Sequence, residues 1–189
     1  MLDKLRYWDE ELFLFLNSKH ADWLDPIMLF LSSYTNWFLA CLAMSALIYF
    51  KADVWKKTGV FFFLLSTGAS ALLTNIIKLI IERPRPIHNE LWEGTIHAIE
   101  KYSSSFSFFS SHSATTFTMA VFFLLFFRKK RLYGYIAVLW AAVVAYSRIY
   151  VAKHYPFDVM IGIIFGIMTG IAGYILFQRF KKKKELLKP

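Results

Sequence analysis

The stretch Ser147-Arg148-Ile149-Tyr150-Val151-Ala152-Lys153-His154-Tyr155-Pro156-Phe157-Asp158 decides how the rest of the chain reads. It lies where one strongly apolar segment ends and the next begins, and it sets a guanidinium, an imidazole and a carboxylate at that junction. Ionisable groups at membrane depth are costly and by default mark a functional site. Pro156 suits the first turn of a helix, where its missing N–H would have no partner anyway. Asp158 then falls in that turn and His154 just before it, where the carboxylate can orient the imidazole. Arg148, at the end of the preceding helix, can face the same space and hold an anion with its planar fork of donors. Taken alone, the stretch reads equally well as an interfacial arginine, a capping aspartate and a spectator histidine, so the surrounding chain has to decide.

With 57% hydrophobic residues, 20 Phe and a net charge of +9 over 189 residues, the chain reads as a polytopic membrane protein rather than a basic soluble one. The basic residues lie in short runs between apolar segments, which is a topology signal and not a nucleic-acid footprint. The one cysteine, Cys41, sits inside an apolar segment, so neither a disulfide framework nor a cysteine metal site is expected. Residues 1–20 alternate acidic and apolar positions and lack the basic start and clean apolar core of a cleavable signal.

The apolar segments are counted outward from there. Residues 3–18 read as an amphipathic helix, too acidic and short to span, lying in the membrane interface. Spans are expected over roughly 30–50, 58–81, 110–127, 132–150 and 157–177, each near the ~20 residues a bilayer core requires, with the third at the short end. Between the second and third spans lies a polar loop, 87–109, of which residues 87–107 read either as a lid that sorts headgroups or as a plain connector. The expected fold is therefore all-α, a polytopic membrane helix bundle of five transmembrane helices plus an N-terminal interfacial amphipathic helix. It forms one domain over 1–189: an interfacial segment 1–25, the bundle 26–180 and a basic cytoplasmic tail 181–189. A sixth crossing near residues 10–30 would have to bury Asp22 and Asp25.

Orientation follows from charge. Lys51, Lys56, Lys57, the run Arg128–Arg131 and the tail from Arg179 to Lys188 fall on one side, giving 13 Lys/Arg against two acids; the other side holds 9 against 11. The positive-inside rule puts the first side in the cytoplasm and the amino terminus outside. Lys78, Arg85, Ser110, His112, Arg148, His154 and Asp158 then all lie at the outer ends of spans two to five.

Each cluster has a physical use. Lys78 and Arg85 straddle the end of the second span; Pro84 breaks the helix, so Arg85 can turn back and both cations can flank one anion. Singly they read as a snorkelling lysine and an interfacial arginine. Ser110-Ser111-His112 opens the third span, where free N–H groups and the helix dipole favour an anion, although a plain serine cap reads the same way.

Together these residues resemble the type-2 phosphatidic acid phosphatase (PAP2) superfamily. The family pattern Lys-x6-Arg-Pro is met by Lys78…Arg85-Pro86, and Ser-Arg-x5-His-x3-Asp by Ser147-Arg148…His154…Asp158. The middle motif, Pro-Ser-Gly-His, reads Phe109-Ser110-Ser111-His112 and departs at two positions. The resemblance covers roughly residues 55–180. It implies that His154 attacks phosphorus to form a phosphohistidine, with Asp158 fixing its tautomer, and that His112 protonates the leaving oxygen. It also implies that Lys78, Arg85, Ser110, the Ser111 amide and Arg148 hold the phosphate oxygens. No metal and no cofactor is expected, because the cations take that part. One histidine must start neutral and the other protonated, which gives a bell-shaped pH profile. A Cβ at position 111, where the family has glycine, bears on substrate fit.

The expected partners are the bilayer and a lipid phosphate substrate, at a site on the periplasmic or extracellular face of the cell (inner) membrane. Undecaprenyl diphosphate leads, with phosphatidylglycerophosphate, phosphatidate and lipid A phosphates as alternatives. Vanadate-dependent haloperoxidases share the anion-binding pattern but are soluble. An anion or lipid-phosphate transporter is the non-enzymatic alternative, against which continuous spans speak. Gly162, Gly166 and Gly170 form a small-residue ridge for packing within the bundle, against Ala137, Ala141 and Ala145, or else for a homodimer seam. His20, His88 and His97 read as solvated loop residues.

Overall fold

The computed structural model describes residues 2–52, 54–100 and 105–187; Asp53, residues 101–104 of the polar loop and the last two residues of the tail fall outside that range. Among the described residues the chain is helical and has no strand. In order it forms α1 (Leu2–Asn17), α2 (Asp25–Ser32), α3 (Tyr34–Lys51), α4 (Lys56–Ile81), α5 (Ser111–Phe126), α6 (Arg131–Tyr150) and α7 (Pro156–Leu186), with 3-10 turns at Pro86–His88 and Glu90–Trp92.

Helix α5 is the axis of the bundle and packs against α3, α4, α6 and α7. None of its residues is exposed. It can be both polar and central because its hydroxyls return to the preceding turn: Thr115, Thr116 and Thr118 donate to the carbonyls of Ser111, His112 and Ala114 at 2.8, 2.7 and 2.8 Å. Lipid-type side chains lie on the helices around it, where Phe38, Leu72, Leu139 and Met168 are all exposed. The stretches Lys56–Trp92, Arg131–Tyr150 and Pro156–Leu186 are long and apolar enough to cross a membrane; the pair α2–α3 makes a fourth if counted as one span. At 16 residues, α5 is about 24 Å long. A helix sheathed by protein need not match the bilayer itself.

The first expected span is not straight. Helices α2 and α3 meet at 61°. Ser33 adopts an extended backbone and caps α3, accepting from the Asn36 N–H at 3.1 Å, while the Asn36 amide donates to the Leu31 carbonyl at 3.0 Å. The cluster of small polar residues there breaks the helix and satisfies the freed groups. Helix α7 runs on through the basic tail as far as Leu186. Lys51, Arg128, Lys129, Lys130 and Lys181 gather around one cavity of about 780 Å³. That cavity lies at the helix ends remote from Lys78, Arg148 and Asp158.

Helix α1 is more than an interfacial float. Tyr7, Trp8, Leu12 and Phe15 are exposed, but Asp9, Phe13 and Asn17 are buried against the bundle. The Asn17 amide donates to the carbonyls of Ile149 and Tyr150 at 3.2 and 2.9 Å, and its oxygen accepts from the His97 N–H at 2.7 Å. It thereby caps α6 and anchors the polar loop. His20 is exposed, as expected, but its ring stacks on that of His97 at 3.9 Å; His97 is partly buried, with Nε2 2.8 Å from Asp25 Oδ1. His88 is exposed, as expected.

The glycine ridge faces α5 rather than the α6 alanines, and it is buried within the bundle. A Cβ on Gly166 would sit 2.3 Å from the Ala114 carbonyl oxygen, and one on Gly162 would sit 2.7 Å from that of Ser110. A Cβ on Gly68 meets nothing within 4 Å. Gly166→Ala should therefore force α5 and α7 apart and cost about 1–3 kcal/mol, read as a lower melting temperature in detergent. Gly68→Ala should leave the melt unchanged; equal effects would refute the close α5–α7 approach.

Candidate active site

Five chain segments bring their ends to one place. Helix α4 ends at Glu82, whose left-handed backbone (φ 51°) stops the helix two residues before Pro84. Its last turns carry Lys78, and the reversal carries Arg83 and Arg85. Helix α5 begins behind Ser110, α6 ends at Tyr150 just after Arg148, and α7 starts at Pro156. The bend between α2 and α3 delivers Ser32 and Tyr34.

A cavity of about 190 Å³ is lined by Lys78, Arg85, Ser111, His112, Arg148 and His154, together with Tyr34, Trp37, Ala71, Asn75, Ser105 and Thr115. Six of the eight residues singled out from the sequence thus face one space. Ser110 and Asp158 stand behind it. Ser110 is fully buried and its hydroxyl serves α5, accepting from the Ser113 N–H at 3.3 Å and the Ser113 hydroxyl at 2.9 Å.

The three cations are buried, and neutral oxygens hold them. Lys78 donates to the carbonyls of Phe106 and Ser107 at 2.7 and 3.0 Å. Arg85 donates to the Ser105 carbonyl at 2.6 Å, the Ser105 hydroxyl at 2.7 Å and the Lys153 carbonyl at 3.0 Å. Arg148 donates to both oxygens of Ser32, 2.7 Å from its carbonyl, while its Nε has no hydrogen-bond partner among the described residues. Carbonyls orient a cation without cancelling its charge. Lys153, next to the histidine, is instead paired with Glu100 at 3.2 Å.

Asp158 makes no hydrogen bond to the three cations, because its oxygens are engaged elsewhere. One oxygen accepts from Arg83 at 2.8 Å; the other accepts from the Tyr155 N–H at 3.0 Å and from the Ser107 hydroxyl. It does not bond His154 directly: Nδ1 of the imidazole is 3.8 Å from the carboxylate. Ser107 Oγ lies between them, 3.4 Å from Nδ1. The direct carboxylate–imidazole contact expected from the spacing is therefore replaced by a hydroxyl relay, because Tyr155 N–H and Arg83 turn the carboxylate toward the start of α7. With Nδ1 facing Ser107, Nε2 faces the cavity, 3.4 Å from Arg85 Nη1. Burial, reinforced by Arg85, Lys78 and Arg148, holds the His154 imidazole well below its ordinary pKa. Across the cavity, His112 Nε2 is buried and without a hydrogen-bond partner among the described residues, and Tyr34 leans on its ring at 5.0 Å.

Sequence reasoning missed Ser32, Arg83, Ser105 and Ser107. Arg83 had a signal, since it precedes Pro84 in the same basic cluster. The serines had none, because their loops are placed only by the tertiary fold. At its far end the polar loop is more than a connector: Ser105 lines the cavity, and the carbonyls of Phe106 and Ser107 hold Lys78.

The sequence pattern of the PAP2 superfamily matches residues 59–182. The chain is 28% identical to a lipid A 4'-phosphatase of Bacteroides thetaiotaomicron over 94% of its own length and 79% of the relative's. It is also 28% identical to the undecaprenyl-diphosphatase BcrC of Bacillus subtilis, over 91% of this chain and 81% of that one. The crystal structure of Aquifex aeolicus LpxE superimposes with a TM-score of 0.69 at 27% identity, covering 86% of this chain and 92% of that one.

If the cations set the electrostatics of the site, Lys78→Met should raise the pKa of His154 toward its ordinary value. Titration of the ¹⁵N-labelled imidazole by NMR reads this directly, and an unchanged or lower value would contradict it.

Proposed function

The chain belongs to the PAP2 superfamily and is a membrane lipid phosphatase; from that premise we propose that it hydrolyses undecaprenyl diphosphate at the outer face of the cell membrane, through a phosphohistidine on His154. The observation that carries the chemistry is the grouping of Lys78, Arg85 and Arg148 with two histidines around one small cavity. A tetrahedral anion fits that space, and three uncancelled cations stabilise the charge on its oxygens in the transition state.

The geometry supports the following steps. Nε2 of His154 is neutral and faces the cavity, so its lone pair forms the N–P bond as the bond from phosphorus to the leaving oxygen breaks. His112 gives that oxygen its proton. Ser107 accepts from Nδ1–H and passes the influence of Asp158 to the ring, which becomes cationic as the bond forms. Water then attacks phosphorus, the N–P bond breaks, His112 takes the water's proton, and phosphate leaves. Arg85, beside Nε2, and Arg148, with its free Nε, hold the equatorial oxygens. Lys78 adds charge, and the Ser111 amide at the start of α5 adds a donor. Ser110 serves this arrangement by capping α5. Side-chain cations fill the part a metal would play.

The bundle crosses the membrane five times in this reading, with the bent α2–α3 pair and the sheathed α5 each counted once, and the basic ends lie in the cytoplasm. The phosphate site is then at the outer surface. A cavity of about 190 Å³ admits a phosphate group, and the similarity to an undecaprenyl-diphosphatase favours a polyprenyl diphosphate. A lipid A phosphate is the second reading, favoured by the similarity to a lipid A 4'-phosphatase.

Purified protein in detergent should release phosphate from undecaprenyl diphosphate faster than from lipid A, phosphatidylglycerophosphate or phosphatidate, with EDTA present throughout. His154→Ala and His112→Ala should each lower turnover by at least about a thousandfold while leaving the melt intact. Faster turnover of lipid A moves the assignment to the second reading. Wild-type-like activity in the His154 variant removes the mechanism, and strict dependence on added Mg²⁺ removes the metal-free reading.

A further inference from the structure

Arg83 lies outside the anion cavity and, itself partly exposed, is the hub of a network of buried carboxylates. Its Nη1 donates to Asp158 Oδ1 at 2.8 Å and its Nη2 to Asp9 Oδ2 at 2.7 Å. Its guanidinium carbon stands 3.9 Å above the ring of Tyr155. Both carboxylate side chains are fully buried. The second oxygen of Asp9 accepts from the Phe157 N–H in the first turn of α7, at 2.8 Å. Continuous contacts therefore run from Asp9 through Arg83, Asp158 and Ser107 to Nδ1 of His154. Asp9 stands on α1, a helix outside the part of the chain that matches the family.

We propose that Arg83 and Asp9 are positioning residues that set how much of the Asp158 negative charge reaches His154, which makes α1 part of the catalytic apparatus. This rests on His154 as the nucleophile. Arg83 draws charge away from Asp158, and Asp9 competes for Arg83. Loss of the Arg83 cation leaves the Asp158 charge undiluted, so the imidazolium is favoured. Loss of the Asp9 charge gives Arg83 wholly to Asp158, so the neutral ring is favoured. The two removals act on His154 with opposite sign. A clamp that only ties α1 to α7 gives no such opposition.

The other groups facing His154 stay constant in this comparison: Arg85 against Nε2, Lys78 and Arg148 around the cavity, and His112 across it. Arg6 and Glu10 pair with each other at 2.8 Å on α1, one on each side of Asp9, and supply a control.

The experiment is the pH dependence of kcat/KM for the purified full chain, with phosphate release as the readout and the detergent melt followed in parallel. Neutral His154 is the active form, so activity falls as pH drops through its pKa. Arg83→Gln should move this acidic limb to higher pH, and Asp9→Asn should move it to lower pH. Arg83→Lys should return the limb toward wild type, and Arg6→Gln should leave it in place. If Arg83→Gln does not fold, Asp9→Asn decides alone, because a mere clamp gives no downward shift. Shifts of the same sign, or no shift beside a lowered melt, would overturn the proposal. Persistence of activity in His154→Ala would instead overturn the nucleophile assignment beneath it.

Discussion

Lys78, Arg85 and Arg148 repel one another inside a protein, and what surrounds them arranges that repulsion without relieving it. Two charges a few ångströms apart interact far more strongly at the low effective dielectric of an interior than in water, and leaving a buried charge unpaired costs several kcal/mol. Carbonyl oxygens of Phe106, Ser107, Ser105, Lys153 and Ser32 fix the directions of the three cations. The nearby carboxylate of Asp158 is engaged by Arg83, Ser107 and the start of α7. The charge therefore stays available for an anion that arrives from outside. A phosphate group carries the charge and the oxygen geometry that this arrangement lacks.

Holding such a site together falls to packing. The centre of the bundle is a helix with no exposed residue, and α7 lies against its backbone because glycines face it. The loop that presents His154 folds back on α6, with the N–H groups of both Lys153 and His154 bonded to the Arg148 carbonyl at 3.0 and 3.2 Å. Ala152 in that loop sits at φ 57°, a left-handed conformation that costs a non-glycine residue about 1–2 kcal/mol. Rigid helices, a strained turn and fixed dipoles make a preorganised site, one whose polar groups need little rearrangement when charge moves. The Asn17 cap on the end of α6 and the Arg83 link to α1 brace the same loop from the N-terminal side.

Much of this was legible in the residues. The spacing from Arg148 to His154 to Asp158 placed a cation, an imidazole and a carboxylate at a helix junction, and Pro156 opens α7 as the spacing suggests. The junction of α4 with the loop followed from Pro84 and Pro86, and the start of α5 from Ser110. Three things were not legible, each for a physical reason. A break at Ser33 depends on the competition between helix continuation and side-chain capping, which a run of serines and an asparagine leaves balanced. The path from Asp158 to His154 depends on Ser107, a residue 47 positions from the histidine whose role exists only after folding. The direction of the glycine ridge depends on which neighbour α7 meets, and periodicity gives a face without its partner.

Phosphate recognition by the cation-lined cavity is the property on which the proposed chemistry depends. Its most direct test is the melting temperature of the detergent-solubilised protein against increasing inorganic phosphate at constant ionic strength, with chloride as the control, for wild type and for Arg148→Met. A ligand that binds only the folded state stabilises it in proportion to RT ln(1 + [L]/Kd). The wild-type melt should rise with phosphate and not with chloride, and the melt of the variant should be insensitive to phosphate. A wild-type melt indifferent to phosphate, or an equal rise in both proteins, would contradict phosphate recognition by this cavity.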